Sequence, residues 1–101
     1  MTRVTENDVA LAIVKIASAR PDGQCTFDRA RSEVPNYVNL DPQDLAMSST
    51  RQGEPMWHQL IRNIRSHHDV PGNFLHDGYL THVSDVGYEV TAKGNKLLGK
   101  S

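Results

Sequence analysis

The chain has little with which to do covalent chemistry or to hold a membrane. Its single cysteine, Cys25, excludes an internal disulfide and suits a reducing compartment. Lying just before Thr26 and Phe27, it reads as a buried structural thiol rather than a reactive one. The longest apolar run, Val9 to Val14, falls far short of the ~20 residues that cross a bilayer as a helix. The opening Met-Thr-Arg-Val-Thr-Glu-Asn-Asp lacks the charged-then-apolar plan of a signal peptide. No membrane partner is expected, and the expected location is cytoplasmic. Aromatic residues are only 6% of the chain, so the core should be aliphatic, with Trp57 as its largest piece. There is no glycine-rich phosphate loop and no evident carboxylate pair, so the expectation is a non-enzyme without catalytic residues or cofactor.

Charge of one sign is also missing. The formal net charge is −1, which counts against a simple electrostatic nucleic-acid binder. The distribution is uneven, however. Residues 1–50 carry five basic and seven acidic side chains, residues 51–101 six and five, and all five histidines lie in the second half. His67 and His68 point about 100° apart on a helix, and His58, His76 and His82 form no ligand spacing, so no metal site is expected. Ser66, His67 and Asp69 resemble a triad in letters only, because such groups converge from separate elements.

What the chain does have is enough apolar sequence, 38% against 23% charged, for one globular domain over residues 1–101. Thr5 and Asp8 form a capping-box variant that opens a first helix. Val9, Ala12, Ile13, Ile16 and Ala17 line one face of it, while Leu11 and Val14 fall on the other. Such a helix needs either a second covering layer or a partner chain, as in a homodimer. Arg20 to Gln24 is a turn, and Cys25 to Phe27 reads as a short strand or as the entry to a helix. Thr26 caps that helix over Phe27 to Val34, with Pro35 as its stop. Tyr37, Val38 and Leu40 in the following connector should pack inward. Asp41-Pro42 starts a further helix expected to reach about Thr50.

The strongest helix runs from Met56 to about His67. Met56, Trp57, Leu60, Ile61 and Ile64 make an apolar arc, opposite His58, Arg62 and Ser66, with Gln59 and Arg65 on the flanks. The position of Trp57 in that arc marks it for core packing rather than stacking on a base. Asn73 to Asp77 reads as one helical turn ended by Gly78. Tyr79 to Val83 and Val86 to Val90 read as strands joined near Ser84-Asp85, with Gly87 marking a bulge or bend. Thr91 caps a last short helix containing Leu97 and Leu98.

Three segments in this order, Trp57 to His67, Asn73-Phe-Leu-His-Asp-Gly-Tyr-Leu80 and Tyr88-Glu-Val-Thr-Ala-Lys-Gly94, make the chain resemble a winged-helix family. The likeness is to the N-terminal domain of Mrr-type restriction endonucleases and related restriction-associated modules, and it extends from Val9 to Leu98. It implies an α+β, mostly α, winged helix-turn-helix of four to five helices with a C-terminal two-stranded β-hairpin wing. It also implies a bacterial or phage restriction, modification or regulatory setting, with double-stranded DNA as partner and a separate nuclease or modification subunit supplying any chemistry.

On that reading Arg51, Arg62 and Arg65 would meet phosphates or guanines. His58 and Gln59 would face base edges, Ser66 would join the DNA-binding face, and His82 would lie near the wing. Protonation of His58 would strengthen binding below about pH 6.5. Asp85 at the wing tip would repel phosphate. Together with the near-neutral charge, it favours the alternative, a protein-interaction adaptor or assembly subunit.

Overall fold

Thr5 turns the chain into its first helix. Its hydroxyl accepts from the Asp8 amide at 3.1 Å, and the Asp8 carboxylate accepts from the Thr5 amide at 3.0 Å. This reciprocal pair satisfies amides that a helix start leaves without partners. The computed structural model describes residues 4–47 and 54–99, and the helix so begun, α1, spans Glu6–Ser18. Val14 is fully buried together with Val9, Ile13 and Ala17, whereas Leu11 is half-buried. The chain's own elements therefore supply the second layer that an all-round apolar helix requires.

Strand β1, Gln24–Thr26, follows the turn. It pairs antiparallel with β3, Gly87–Val90, which pairs in turn with β2, Leu80–Val83. The sheet therefore has three strands in the order β1-β3-β2: the two of the expected hairpin, and the short strand for which a helix entry was the alternative. Gly87 makes this closure feasible. A Cβ there would lie 2.1 Å from the Cys25 carbonyl oxygen, so any side chain would push β1 off β3. The hairpin turns through Asp85, whose φ of 62° is left-handed and which an aspartate tolerates better than most residues.

Helix α2, Phe27–Glu33, is capped by the Thr26 hydroxyl, which accepts from the Arg29 amide at 3.1 Å. Pro35 then redirects the chain into a 3₁₀ turn, Val34–Asn36, rather than ending helical structure outright. Tyr37 is 45% exposed, contrary to its expected inward packing, while Val38 and Leu40 do lie against the core.

Helix α3 is a single turn, Pro42–Leu45, much shorter than a helix running to about Thr50. Ala46 is already extended, its carbonyl accepts from the Met56 amide at 2.8 Å, and Met47 bridges to Pro55. Leu45 and Met47 are mostly exposed, so no apolar stripe holds a longer helix together. Thr50 lies outside the described residues.

Helix α4 spans His58–Ser66, starting two residues later than expected, with Met56 and Trp57 in the turn before it. Trp57 is buried, as are Ile61 and Ile64. Each isoleucine contributes about 1.5–3 kcal/mol by leaving water. Tyr88 fixes the helix on the sheet, and α1 lies along it. The segment 73–77 makes one helical hydrogen bond, from the Asp77 amide to the Asn73 carbonyl at 2.9 Å, and ends at Gly78 with φ 85°. Helix α5, Ala92–Leu97, is capped by the Thr91 hydroxyl and places Gly94 hard against the Tyr79 carbonyl. Among the described residues no helix is long and apolar enough to cross a membrane.

Candidate nucleic-acid interface

Because α4 turns Ile61 and Ile64 into the core, its opposite face looks outward between α2 and the β2–β3 hairpin. There it bounds an open cleft of about 550 Å³. Phe27 and Arg31 line one wall, His58, Arg62 and Arg65 the floor, and His82, Ser84 and Asp85 the other wall, with Glu54 at one end. Three guanidinium groups and two imidazoles thus face two carboxylates. The lining residues carry one more positive than negative charge, before Asp28, which pairs with Arg31, is counted.

The cations are not equivalent. Arg62 is ion-paired with Glu54, and both side chains are partly buried. Arg31 is paired with Asp28 on a more exposed surface, where such a pair is worth little and yields readily to a competing anion. Arg65 is exposed and has no ion-pair partner among the described residues. It is the cation most open to an incoming phosphate.

Both imidazoles pack against aromatic rings. His58 meets Trp57 edge to face, with centroids 4.5 Å apart. His82 packs 6.3 Å from Phe27 and 5.9 Å from Tyr88. Burial pulls the pKa of His58 below the ordinary histidine value; Glu54 opposes this, and Arg31 and Arg62 add to it. Burial also lowers His82, reinforced by Arg65 and opposed by Asp85. Both rings are therefore neutral at pH 7, with one nitrogen free to donate and one to accept. The charge gain expected of His58 near pH 6.5 moves to more acidic solution.

Of the residues singled out in the sequence, His58, Arg62, Arg65 and His82 come together in this cleft. Ser66 sits beside it, in a hollow shared with Arg65, His68, Leu75 and His82. Its hydroxyl donates back to the Arg62 carbonyl at 3.3 Å. Gln59 departs from the set: it is exposed on the other flank of α4, with Val4, Thr5 and Asn63. Arg51 lies outside the described residues. Arg31 and Glu54 were not anticipated, since only the packing of α2 and of the turn before α4 brings them to the cleft.

The remaining histidines have separate partners. His67 contacts Glu6 at 2.7 Å and His76 contacts Asp77 at 2.9 Å. Ser66 and His67 thus engage different groups and do not converge. Among the described residues no cluster of three or more metal-ligating side chains occurs. No family model matches the chain, and neither a curated protein nor a solved structure matches it.

Proposed function

We propose that the chain is a winged helix-turn-helix module that binds duplex DNA and catalyses no reaction on it. In this reading α4 lies in the major groove, which is wide enough to admit a helix, and the β2–β3 hairpin is the wing. The observation that carries the proposal is the shared cleft of Arg31, His58, Arg62, Arg65 and His82 between α4 and the hairpin. The element order supports it: a helix, a strand, the three helices α2, α3 and α4, then a hairpin whose β3 closes on β1. The sequence resemblance extends the proposal to a bacterial or phage restriction, modification or regulatory setting in the cytoplasm, with enzymatic activity on a separate subunit.

Titration with a 20-base-pair duplex at low salt, followed by amide chemical shifts, tests the reading. Shifts concentrated on residues 58–66 and 82–86 are expected. An unchanged spectrum at saturating duplex overturns the proposal. The competing reading, a protein-interaction adaptor, draws on the exposed Asp85 at the hairpin tip and on the exposed Tyr37, Leu45 and Met47. Shifts at those residues on self-association, with none on adding duplex, would favour it.

A further inference from the structure

Arg62 and Glu54 stand eight residues apart, and the turn containing Met56 and Trp57 brings them together at the start of α4. One terminal nitrogen of Arg62, Nη1, donates to the Glu54 carboxylate. Among the described residues the guanidinium makes no other hydrogen bond, so Nη2 and Nε keep their donors for a ligand. The Arg62 side chain is 37% exposed and that of Glu54 only 21%. The carboxylate is therefore the sheltered partner, and the arginine is the one presented to the cleft.

A long arginine side chain loses rotamer freedom when it binds. An arginine already held by a neighbouring carboxylate has given up much of that freedom on folding. It presents a fixed planar fork, and such a fork matches the O6 and N7 acceptors of guanine in the major groove. A carboxylate beside it also disfavours phosphate, since it repels the backbone while leaving a neutral base edge untouched. Arg62 is thereby distinguished from Arg65, which lacks a carboxylate partner among the described residues.

Resting on the DNA-binding reading above, we infer that Glu54 is a positioning residue. It holds Arg62 to read one guanine of a G·C pair, while Arg65 and Arg31 serve the backbone. The arrangement makes an unusual demand on a single substitution. Removing Glu54 frees Arg62 and deletes a negative charge, so affinity for arbitrary duplex rises while discrimination among bases falls. A carboxylate with a merely structural role would lower both together, through loss of fold.

The test is selection from a pool of duplexes with a 12-base-pair random core, followed by titration of the enriched duplex and of one with the selected G·C pair changed to A·T. The intact chain should prefer the G·C duplex about tenfold or more, as expected of a bidentate arginine–guanine contact. Glu54→Ala should reduce that preference to about twofold and bind random duplex more tightly, with a steeper salt dependence. Glu54→Gln preserves size and an oxygen acceptor and should fall between, which keeps the test decisive if the alanine variant folds poorly. Arg62→Lys should lose the preference outright.

Undiminished preference in both Glu54 variants overturns the positioning role and leaves DNA binding intact. Failure of the intact chain to bind any duplex overturns the DNA-binding reading itself and the positioning role with it.

Discussion

The Tyr88 hydroxyl donates to the backbone carbonyl of Ile61 at 2.6 Å, tying the middle of α4 to the central strand of the sheet. Tyr88 is fully buried, and its ring meets Phe27 edge to face at 5.6 Å. Burial raises its phenol to a pKa of about 12, so it remains a donor through neutral and mildly alkaline solution. The link sets how α4 stands relative to the hairpin, and hence the width of the cleft. Tyr88→Phe keeps the ring and deletes the bond, which should cost about 1 kcal/mol in urea unfolding. A variant as stable as the parent would show that the bond contributes nothing net.

Asn73 works at the other end of α4. Its side-chain amide donates to the Ile64 carbonyl at 2.8 Å and to Glu6 at 3.2 Å, while its oxygen accepts from the amides of Leu75 and His76 at 2.7 and 3.1 Å. One buried side chain thus stops the helix, shapes the following turn and anchors α1. Asn73→Ala should cost about 2–3 kcal/mol, because buried partners are left without hydrogen bonds. Asn73→Asp should fare little better, since it replaces the donor to Ile64 with an acceptor. A shift below about 0.5 kcal/mol in thermal unfolding would contradict this account.

Local signals were readable in the sequence because they act over three or four residues. The Thr5–Asp8 box, the Thr26 and Thr91 caps, and the apolar arc of Trp57, Ile61 and Ile64 all appear where spacing put them. The third strand was ambiguous because three residues carry no period, and Cys25 gains its place only by pairing with Tyr88 far along the chain. The helix at Pro42 read too long because its start signals are strong, while its end is set by pairing of Ala46 and Met47 with the segment before α4. At the cleft, helical angle identified the outward face of α4 but not which flank the hairpin would cover. Gln59 and Arg65 therefore looked equivalent, whereas only Arg65 lies in the cleft.

Charge substitutions on the two sides of the cleft should have opposite effects on DNA binding. Arg65→Ala removes an arginine that has no ion-pair partner among the described residues. It should weaken duplex binding and reduce the slope of log affinity against log salt by about 1, and the double variant with Arg31→Ala by about 2. Asp85→Asn tolerates the same left-handed backbone while deleting a negative charge at the hairpin tip. It should bind more tightly at low salt, with the gain vanishing as ionic strength rises. Equal affinities for all of these proteins at low salt would remove this face as the DNA surface.

The two cleft histidines give stability and binding a shared pH dependence. Folding lowers the pKa of both His58 and His82, chiefly through burial. In the window between their folded and ordinary values the unfolded chain binds more protons. Stability from this source is therefore complete above the ordinary histidine pKa of about 6.5 and declines as pH falls through it. Replacing both residues by glutamine should flatten the decline in melting temperature below pH 6.5 relative to the parent. Affinity for duplex should be level between pH 8 and 7 and rise only in solution more acidic than about pH 6.5, where the imidazoles gain charge. A binding transition centred above pH 6.5 would be incompatible with histidines held in this way.

Gly87 and Cys25 offer a direct reading of how the third strand is held. Cys25 is completely buried, and burial, with the Glu33 charge adding to it, raises its thiol to a pKa of about 12. A folded chain should therefore resist a thiol reagent at pH 8 and react at the rate at which it opens. Gly87→Ala puts a methyl group where the Cys25 carbonyl and the Thr26 Cα already stand, at 2.1 and 2.9 Å. Neither is the end of a flexible side chain, so the strands must separate. The expected cost is at least about 2–3 kcal/mol in urea unfolding. Because β1 is the strand displaced, Cys25 should label many times faster than the stability loss alone predicts. Labelling that accelerates only in proportion to the global loss would mean that β1 and the rest of the domain open as one unit.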